Sequence, residues 1–190
     1  MQDIVWSYAG VRPLKDDKSL NLSKITRGYE IELNTFEESA PLLSIFGGKI
    51  TTYRKLAENA INQLQSFFPH MKNAWTANNY LPGGDLPQQN FEQFLSQIWQ
   101  EYLWLDRKII SRYANQYGTR VHQLLKNCHK VSDMGISFGF GLFEQELIYL
   151  IEQEWAQTVD DILWRRTKLG LYFDEVNITS LHNWLDNLRK

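Results

Sequence analysis

Two kinds of hydrophobic pattern divide the chain near residue 80. Before that point apolar residues alternate with polar ones or form short runs separated by glycines, which is typical of strands and turns. After it they recur every three or four positions, which is typical of amphipathic helices. We therefore predict an α+β protein. Short strands and one strand–glycine–helix unit occupy residues 1–80, and an all-α helical domain occupies residues 81–190.

The first part contains three strand patterns and one helix pattern. Residues 4–11 are rich in β-branched and aromatic side chains, residues 25–33 alternate apolar and polar, and residues 42–46 form a short apolar run. A helical spacing begins at Thr51 and continues until Pro69. Because the chain opens directly on a strand pattern, we expect it to be a piece of a longer protein.

The second part follows a linker around Pro82 and contains six helical patterns. Gly118 is expected to end the second of them. Thr158 is expected to cap the fifth, with acidic residues behind it and basic residues at its far end. The six patterns cover residues 91–102, 109–117, 121–128, 143–151, 158–168 and 181–188.

Composition excludes several classes of protein. The 190 residues include 20 basic and 22 acidic ones, and the net charge of −2 argues against a broad nucleic-acid surface. The single cysteine, Cys128, excludes an internal disulfide. The four histidines and Cys128 show no metal-ligand spacing, so no metal site is predicted. No apolar stretch is long enough for a membrane helix.

The strongest local signal for chemistry is the diglycine turn Gly47-Gly48, followed by Lys49 and the start of a helix. Two glycines let a ligand approach the backbone closely. The first turn of a helix offers free N–H groups and partial positive charge, to which Lys49 adds a full charge. Such a turn suits a phosphate, a carboxylate or an electron-rich carbonyl. The plain alternative is a tight turn with a solvated lysine.

Two arginines in the strand region suggest an anion site. Arg12 lies between a strand pattern and a proline. Arg27 occupies one of the alternate positions that are otherwise apolar in its strand pattern. A guanidinium on a rigid element binds phosphate or carboxylate through two hydrogen bonds. The alternative for both is a structural ion pair. The sequence does not show whether Arg12, Arg27 and Lys49 converge.

A basic and aromatic segment ends the fifth helical pattern, Trp164-Arg-Arg-Thr-Lys-Leu-Gly. It could contact nucleic acid or a membrane surface. Alternatively it matches the helix dipole and packs its aromatic ring internally. The slightly negative net charge favours the second interpretation.

Six segments occur in the order found near the C-terminus of FAD-dependent (aerobic, respiratory) glycerol-3-phosphate dehydrogenases, and the chain resembles that family over essentially its whole length. The segments are Ser7-Tyr-Ala-Gly-Val-Arg-Pro-Leu, Ile25-Thr-Arg-Gly-Tyr, Ala40-Pro-Leu-Leu-Ser-Ile-Phe-Gly-Gly-Lys-Ile-Thr-Thr-Tyr-Arg-Lys-Leu-Ala-Glu, Leu81-Pro-Gly-Gly, Val131-Ser-Asp-Met-Gly and Asp160-Asp-Ile-Leu-Trp-Arg-Arg-Thr-Lys-Leu-Gly.

The resemblance implies an activity and a set of site residues. The family oxidises sn-glycerol 3-phosphate to dihydroxyacetone phosphate, with hydride transfer to FAD and electrons passing to membrane quinone. It implies that Arg12 and Arg27 bind the substrate and that Lys49 is catalytic. It also implies that the turn binds the flavin, through Gly47, Gly48, Lys49, Ile50 and Thr51.

The resemblance also implies a setting. The complete enzyme is expected in the cytoplasm, peripheral on the inner face of the plasma membrane, and its helical region is expected to serve packing and assembly, with a homodimer left open. Most of the FAD site and the general base lie outside these residues in the family. We therefore expect the isolated chain to be inactive.

Two other functions stay open on the sequence. One is a glycerophosphate oxidase that passes electrons to oxygen. The other is a non-catalytic helical module that binds a protein partner. Convergence of Arg12, Arg27 and Lys49 on one concave surface would favour chemistry, and scattering of the three over solvated faces would favour the module.

Overall fold

A computed structural model describes residues 4, 6–11, 28–37 and 39–189. The chain divides into two compact units. One is Ser7–Asn79, and the other contains the residues from Tyr80 onward together with Ile4 and Trp6.

The first unit contains a two-stranded antiparallel sheet followed by a helix. Strand β1 is Tyr29–Asn34, strand β2 is Leu42–Gly47, and Tyr29 lies opposite Gly47 in the register. A 3-10 turn, Ile50–Thr52, leads into helix α1, Tyr53–Gln63. Two more 3-10 turns of the same length follow at Gln65–Phe67 and Thr76–Asn78. The strand–glycine–helix unit is confirmed.

The strand predicted for residues 4–11 is wrong for its described residues. Ile4 and residues 6–11 form neither strand nor helix. β-branched and aromatic side chains favour extended backbone, but a strand also requires a hydrogen-bonded neighbour, which propensity alone does not supply.

The second unit is mostly helical. Its elements are α2 (Phe91–Glu101), α3 (Arg107–Tyr117), α4 (Val121–Leu124), β3 (Ser137–Gly139), β4 (Leu142–Phe143), α5 (Glu144–Glu154), a π-helical turn (Asp161–Arg166) and α6 (Glu175–Leu188). The predicted α+β class is confirmed. Among the described residues, no helix combines the length and the apolar character needed to cross a bilayer.

Two details of the helical unit differ from the prediction. It is not purely helical, because β3 and β4 pair as a small antiparallel hairpin. The hairpin turns at Gly139, Phe140 and Gly141, which all have positive φ. A Cβ on Gly141 would lie 2.9 Å from the side chain of Ile109, so glycine is needed there. The fifth predicted helix is a single π turn, closed by a hydrogen bond from the Thr167 N–H to the Ile162 carbonyl.

Several capping predictions are confirmed. Gly118 ends α3 with φ 54. Thr158 and Asp161 cap each other: the Thr158 N–H donates to the Asp161 carboxylate at 2.9 Å, and the Asp161 N–H donates to the Thr158 hydroxyl at 3.1 Å. Hydrogen bonds from the backbone, foremost from Gln157, lower the pKa of Asp161 despite a smaller opposing effect of burial. The carboxylate therefore stays charged at the start of the turn.

Burial is distributed very unequally between the two units. One continuous apolar cluster draws on every helix from α2 to α6, with residues such as Leu124, Leu147 and Leu181 fully buried. In the first unit, Ala60 is the one described residue that is buried to a similar degree. The sheet and α1 instead leave apolar side chains exposed, among them Leu42, Ile45, Phe46, Ile50, Tyr53 and Ile61.

A buried ion pair lies inside the helical core. Arg112 of α3 makes two hydrogen bonds of 2.6 Å to the carboxylate of Glu146 of α5, which has no exposed surface. The Tyr117 hydroxyl donates to the same carboxylate at 2.6 Å, and Arg112 also donates to the Gly141 carbonyl at 2.8 Å. Burial disfavours the charged guanidinium, but Glu146 outweighs this and raises the pKa of Arg112. The pair joins α3, α5 and the hairpin.

We expect Glu146→Gln to destabilise the helical unit by about 3–5 kcal/mol, because it leaves the buried Arg112 guanidinium without a counter-charge. Urea unfolding of the chain measures this change. Glu152→Gln on the exposed face of the same helix is the control and should change the free energy by less than about 0.5 kcal/mol. Equal effects of the two substitutions would show that the buried pair does not hold the core together.

Candidate functional site

The candidate site is the turn that joins β2 to the helix, and its shape depends on two glycines. Gly47 has φ 71 and Gly48 has φ 116, a conformation that side-chain-bearing residues rarely adopt. The Gly48 N–H donates to the Gly28 carbonyl at 3.2 Å, and a Cβ on Gly48 would lie 3.2 Å from the Leu56 side chain. The chain therefore reverses close to both β1 and α1.

Thr52 closes the first turn of the helix on Lys49. Its hydroxyl donates to the Lys49 carbonyl at 3.0 Å and accepts from the Lys49 N–H at 3.4 Å, and its own N–H donates to the same carbonyl at 3.0 Å. In the described part of the chain, the N–H groups of Ile50 and Thr51 have no backbone acceptor. These two donors lie at the positive end of the helix.

A hydrogen bond fixes the sheet to α1 beside this turn. The Asn59 side-chain amide donates to the Tyr29 hydroxyl at 2.7 Å. Because Tyr29 is paired with Gly47 in the sheet, this bond holds the helix against the strand that ends at the turn. Asn59 is not among the predicted site residues. It lies on the polar face of the predicted helix. Tyr29 lies 30 positions before it, too far for a local sequence pattern to link the two.

Lys49 supplies a positive side chain at the turn. It is exposed, and within the described ranges its ammonium group forms no ion pair. Arg54 and Lys55 lie nearby in sequence but both contact Glu58, at 3.4 and 2.8 Å. The hydrogen bond from Lys55 is the main cause that lowers the pKa of Glu58. Glu58 therefore matches the charges of Arg54 and Lys55, whereas Lys49 has no ion-pair partner among the described residues.

The predicted cofactor-binding residues are consecutive in the turn, and each is exposed or half-exposed. They are Gly47, Gly48, Lys49, Ile50 and Thr51. Ile50 is 88% exposed, so an apolar side chain lies next to the N–H groups of Ile50 and Thr51. A ligand with both a flat apolar part and a polar edge matches this combination. The structure thus brings together the five cofactor-binding candidates.

The other two predicted site residues, Arg12 and Arg27, lie outside the described residues. The convergence of Arg12, Arg27 and Lys49 therefore stays a prediction. Within the ranges that the structure describes, no three His, Cys, Asp or Glu side chains are grouped so that they could hold a metal ion.

The family model for the C-terminal domain of alpha-glycerophosphate oxidase matches residues 74–183, more than half of the chain. The chain belongs to this family. The matched region contains the whole helical unit up to α6 and begins a few residues before Tyr80, where the second unit starts.

Curated relatives extend the similarity to the strand region. The chain is 48% identical over 185 residues to a glycerol-3-phosphate dehydrogenase of Pseudomonas aeruginosa and 42% identical over 183 residues to the aerobic glycerol-3-phosphate dehydrogenase of Escherichia coli. It is 39% identical over 186 residues to a D-erythritol 1-phosphate dehydrogenase of Brucella abortus. These alignments cover 97%, 96% and 98% of the chain but 36%, 36% and 37% of the relatives. The chain thus spans about a third of their length.

We expect Gly48→Ala to destabilise the turn by about 1–3 kcal/mol, because alanine is strained at φ 116 and its Cβ crowds Leu56. Since the two units need not unfold together, the suitable measurement is hydrogen exchange of the β1 amides. Gly10→Ala is the control, because no atom lies within 4 Å of a Cβ placed there. Unchanged exchange in Gly48→Ala would contradict the importance of this glycine.

Proposed function

We propose that this chain supplies the C-terminal third of a flavoprotein that oxidises sn-glycerol 3-phosphate to dihydroxyacetone phosphate. The observation that supports this most is the alignment of nearly the whole chain, strand region included, with glycerol-3-phosphate dehydrogenases at 48% and 42% identity. A helical protein-binding module alone would not require similarity across residues 1–73, which lie before the matched family domain.

The turn has the donors that a bound flavin would use. FAD, when bound, supplies the acceptor for the hydride from the substrate. The N–H groups of Ile50 and Thr51 and the ammonium group of Lys49 place positive potential where a bound group gains negative charge. The positive φ of Gly47 and Gly48 allows a flat ring to approach the backbone. We propose that Gly47 to Thr51 contact the flavin and that Lys49 acts beside it as a catalytic residue.

Arg12 and Arg27 are the proposed ligands of the substrate phosphate. A phosphate dianion is bound well by planar guanidinium groups, which can each offer two parallel N–H donors. The general base is expected in the flavin-binding part of the longer enzyme. The isolated chain should consequently neither retain FAD nor turn over substrate.

The electron acceptor is proposed to be membrane quinone, reached from a peripheral position on the inner face of the plasma membrane. A specific observation favours a second candidate, oxygen, because the matching family model is named after an oxidase. The substrate also has an alternative, since one relative is a D-erythritol 1-phosphate dehydrogenase. A homodimer is a further prediction for the complete enzyme.

A hybrid enzyme tests the proposed function. In it, this chain replaces the corresponding C-terminal third of the Pseudomonas aeruginosa relative. We expect the hybrid to retain FAD, as its absorbance shows, and to reduce a quinone analogue with glycerol 3-phosphate. Parallel assays with erythritol 1-phosphate and with oxygen consumption distinguish the alternatives. A folded hybrid that retains FAD but oxidises neither phosphate would contradict the proposal, as would stoichiometric FAD on the isolated chain.

Within this hybrid, we expect Arg12→Ala to raise KM for glycerol 3-phosphate about tenfold to hundredfold, since a hydrogen bond to a charged group is worth about 1.5–3 kcal/mol. Steady-state kinetics give the value. Arg107→Ala is the control, because Arg107 is an exposed arginine of α3 that lies over the Trp99 ring in the helical unit. An unchanged KM in Arg12→Ala would remove this residue from the phosphate site.

A further inference from the structure

The indole of Trp6 is packed onto the helical unit, far from it in sequence. Its ring stacks on that of Trp164, with centroids 5.1 Å apart and planes inclined by only 6°. The Lys168 ammonium group lies 5.0 Å from the centre of the Trp6 ring. Parallel aromatic rings and a cation near an indole both attract. Trp6 accordingly groups with the helical unit, whereas Ser7 begins the other.

The residues around Trp164 leave one face of its ring accessible. Gly170 lies against the indole, and a Cβ there would be 2.5 Å from Trp164 Cε2. Lys168 adopts a left-handed conformation with φ 60, which turns its side chain back so that Nζ donates to the Trp164 carbonyl. Thr167 donates its hydroxyl to the Ile162 carbonyl at 2.8 Å and closes the π turn. Small or polar neighbours thus leave one face of the ring for Trp6.

This segment is also fixed to the core. Arg166 donates to the Glu154 carbonyl at 3.0 and 2.7 Å and so satisfies the end of α5. The Gln116 amide of α3 donates to the Arg166 carbonyl at 2.8 Å. Arg165 pairs with Asp161. The basic side chains of the segment therefore have internal partners, which argues against its use as a nucleic-acid or membrane contact.

We propose that Trp164–Gly170 forms a docking slot for Trp6 and that Trp6 is a positioning residue for Arg12, which follows it in the sequence. The proposal rests on the proposed function, in which Arg12 binds the substrate phosphate. Only five residues separate Trp6 from Arg12 in the sequence. Holding Trp6 therefore restricts the conformations open to the following segment, which lowers the entropy lost when the arginine binds phosphate.

The docked state has a predictable effect on substrate binding. If undocking leaves Arg12 in its binding position only a tenth of the time, the apparent affinity for the phosphate falls about tenfold. The chemical step itself is not altered, because Trp6 contacts neither substrate nor flavin in this scheme. An effect on KM with little effect on kcat is therefore the expected signature.

Fluorine NMR of this chain labelled with 5-fluorotryptophan tests the docking without any activity. Trp164 is assigned by Trp164→Phe. Trp6→Ala should shift the Trp164 resonance more than any other, because it removes the stacked ring. Trp155→Ala, which removes an indole that is 82% exposed, should leave that resonance in place. A Trp164 resonance that does not respond to Trp6→Ala would overturn the slot.

Kinetics of the complete flavoenzyme test the positioning role. Trp6→Ala should raise KM for glycerol 3-phosphate about tenfold, and Trp6→Phe, which retains a stacking ring, should restore most of the affinity. Trp155→Ala should not change it. In an Arg12→Ala background, Trp6→Ala should have no further effect on KM, because both substitutions remove the same contact.

The outcomes separate the two proposals. A higher KM in Arg12→Ala together with an unchanged KM in Trp6→Ala would overturn the positioning role and leave the proposed function intact. Additive effects of the two substitutions would also overturn it. An unchanged KM in Arg12→Ala would overturn the phosphate role of that arginine, and the positioning role would fall with it even if the NMR experiment shows a docked indole.

Discussion

Burial of apolar surface is concentrated in the helical unit, and the behaviour of the rest of the chain depends on that imbalance. Apolar burial is the main favourable contribution to folding. The helices obtain it from one continuous cluster, whereas the sheet, the diglycine turn and α1 leave Phe46, Ile50 and Tyr53 exposed. A two-stranded sheet is marginally stable alone. The candidate site therefore lies on a segment that is suited to packing against further protein.

This arrangement leaves the turn accessible. A turn within a complete core would have its N–H groups covered and its glycines surrounded by side chains. Here Lys49, Ile50 and Thr51 are exposed, while hydrogen bonds of Asn59 and Thr52 hold the backbone in place. The local hydrogen bonds preorganise the turn, so that binding need not order it. What a flavin would still require is the opposite wall of its pocket.

The sequence predicted those features that depend on local chemistry. Gly118 as a helix end and Thr158 as a cap follow from preferences of single residues, and the strand–glycine–helix unit follows from periodicity. It missed the β3–β4 hairpin, because its glycines are needed only where distant residues approach them: Ile109 of α3 approaches Gly141, and Asn177 of α6 approaches Gly139. It also missed the Arg112–Glu146 pair, since residues 34 positions apart give no local pattern. For the candidate site, the turn could be predicted, but its anchors on Tyr29 and Asn59 could not.

The segment Trp164–Gly170 contains residues whose placement has different physical reasons. Thr167 closes the π turn, and Arg166 donates hydrogen bonds to a carbonyl at the end of α5. Many sequences can form both kinds of hydrogen bond. The pairing of Trp164 with Gly170 is different, because a large ring beside a glycine costs backbone entropy and leaves an indole half-exposed unless a partner covers it. Trp6 is that partner. The stack therefore uses the stability of the helical core to hold a residue that is far from it in sequence.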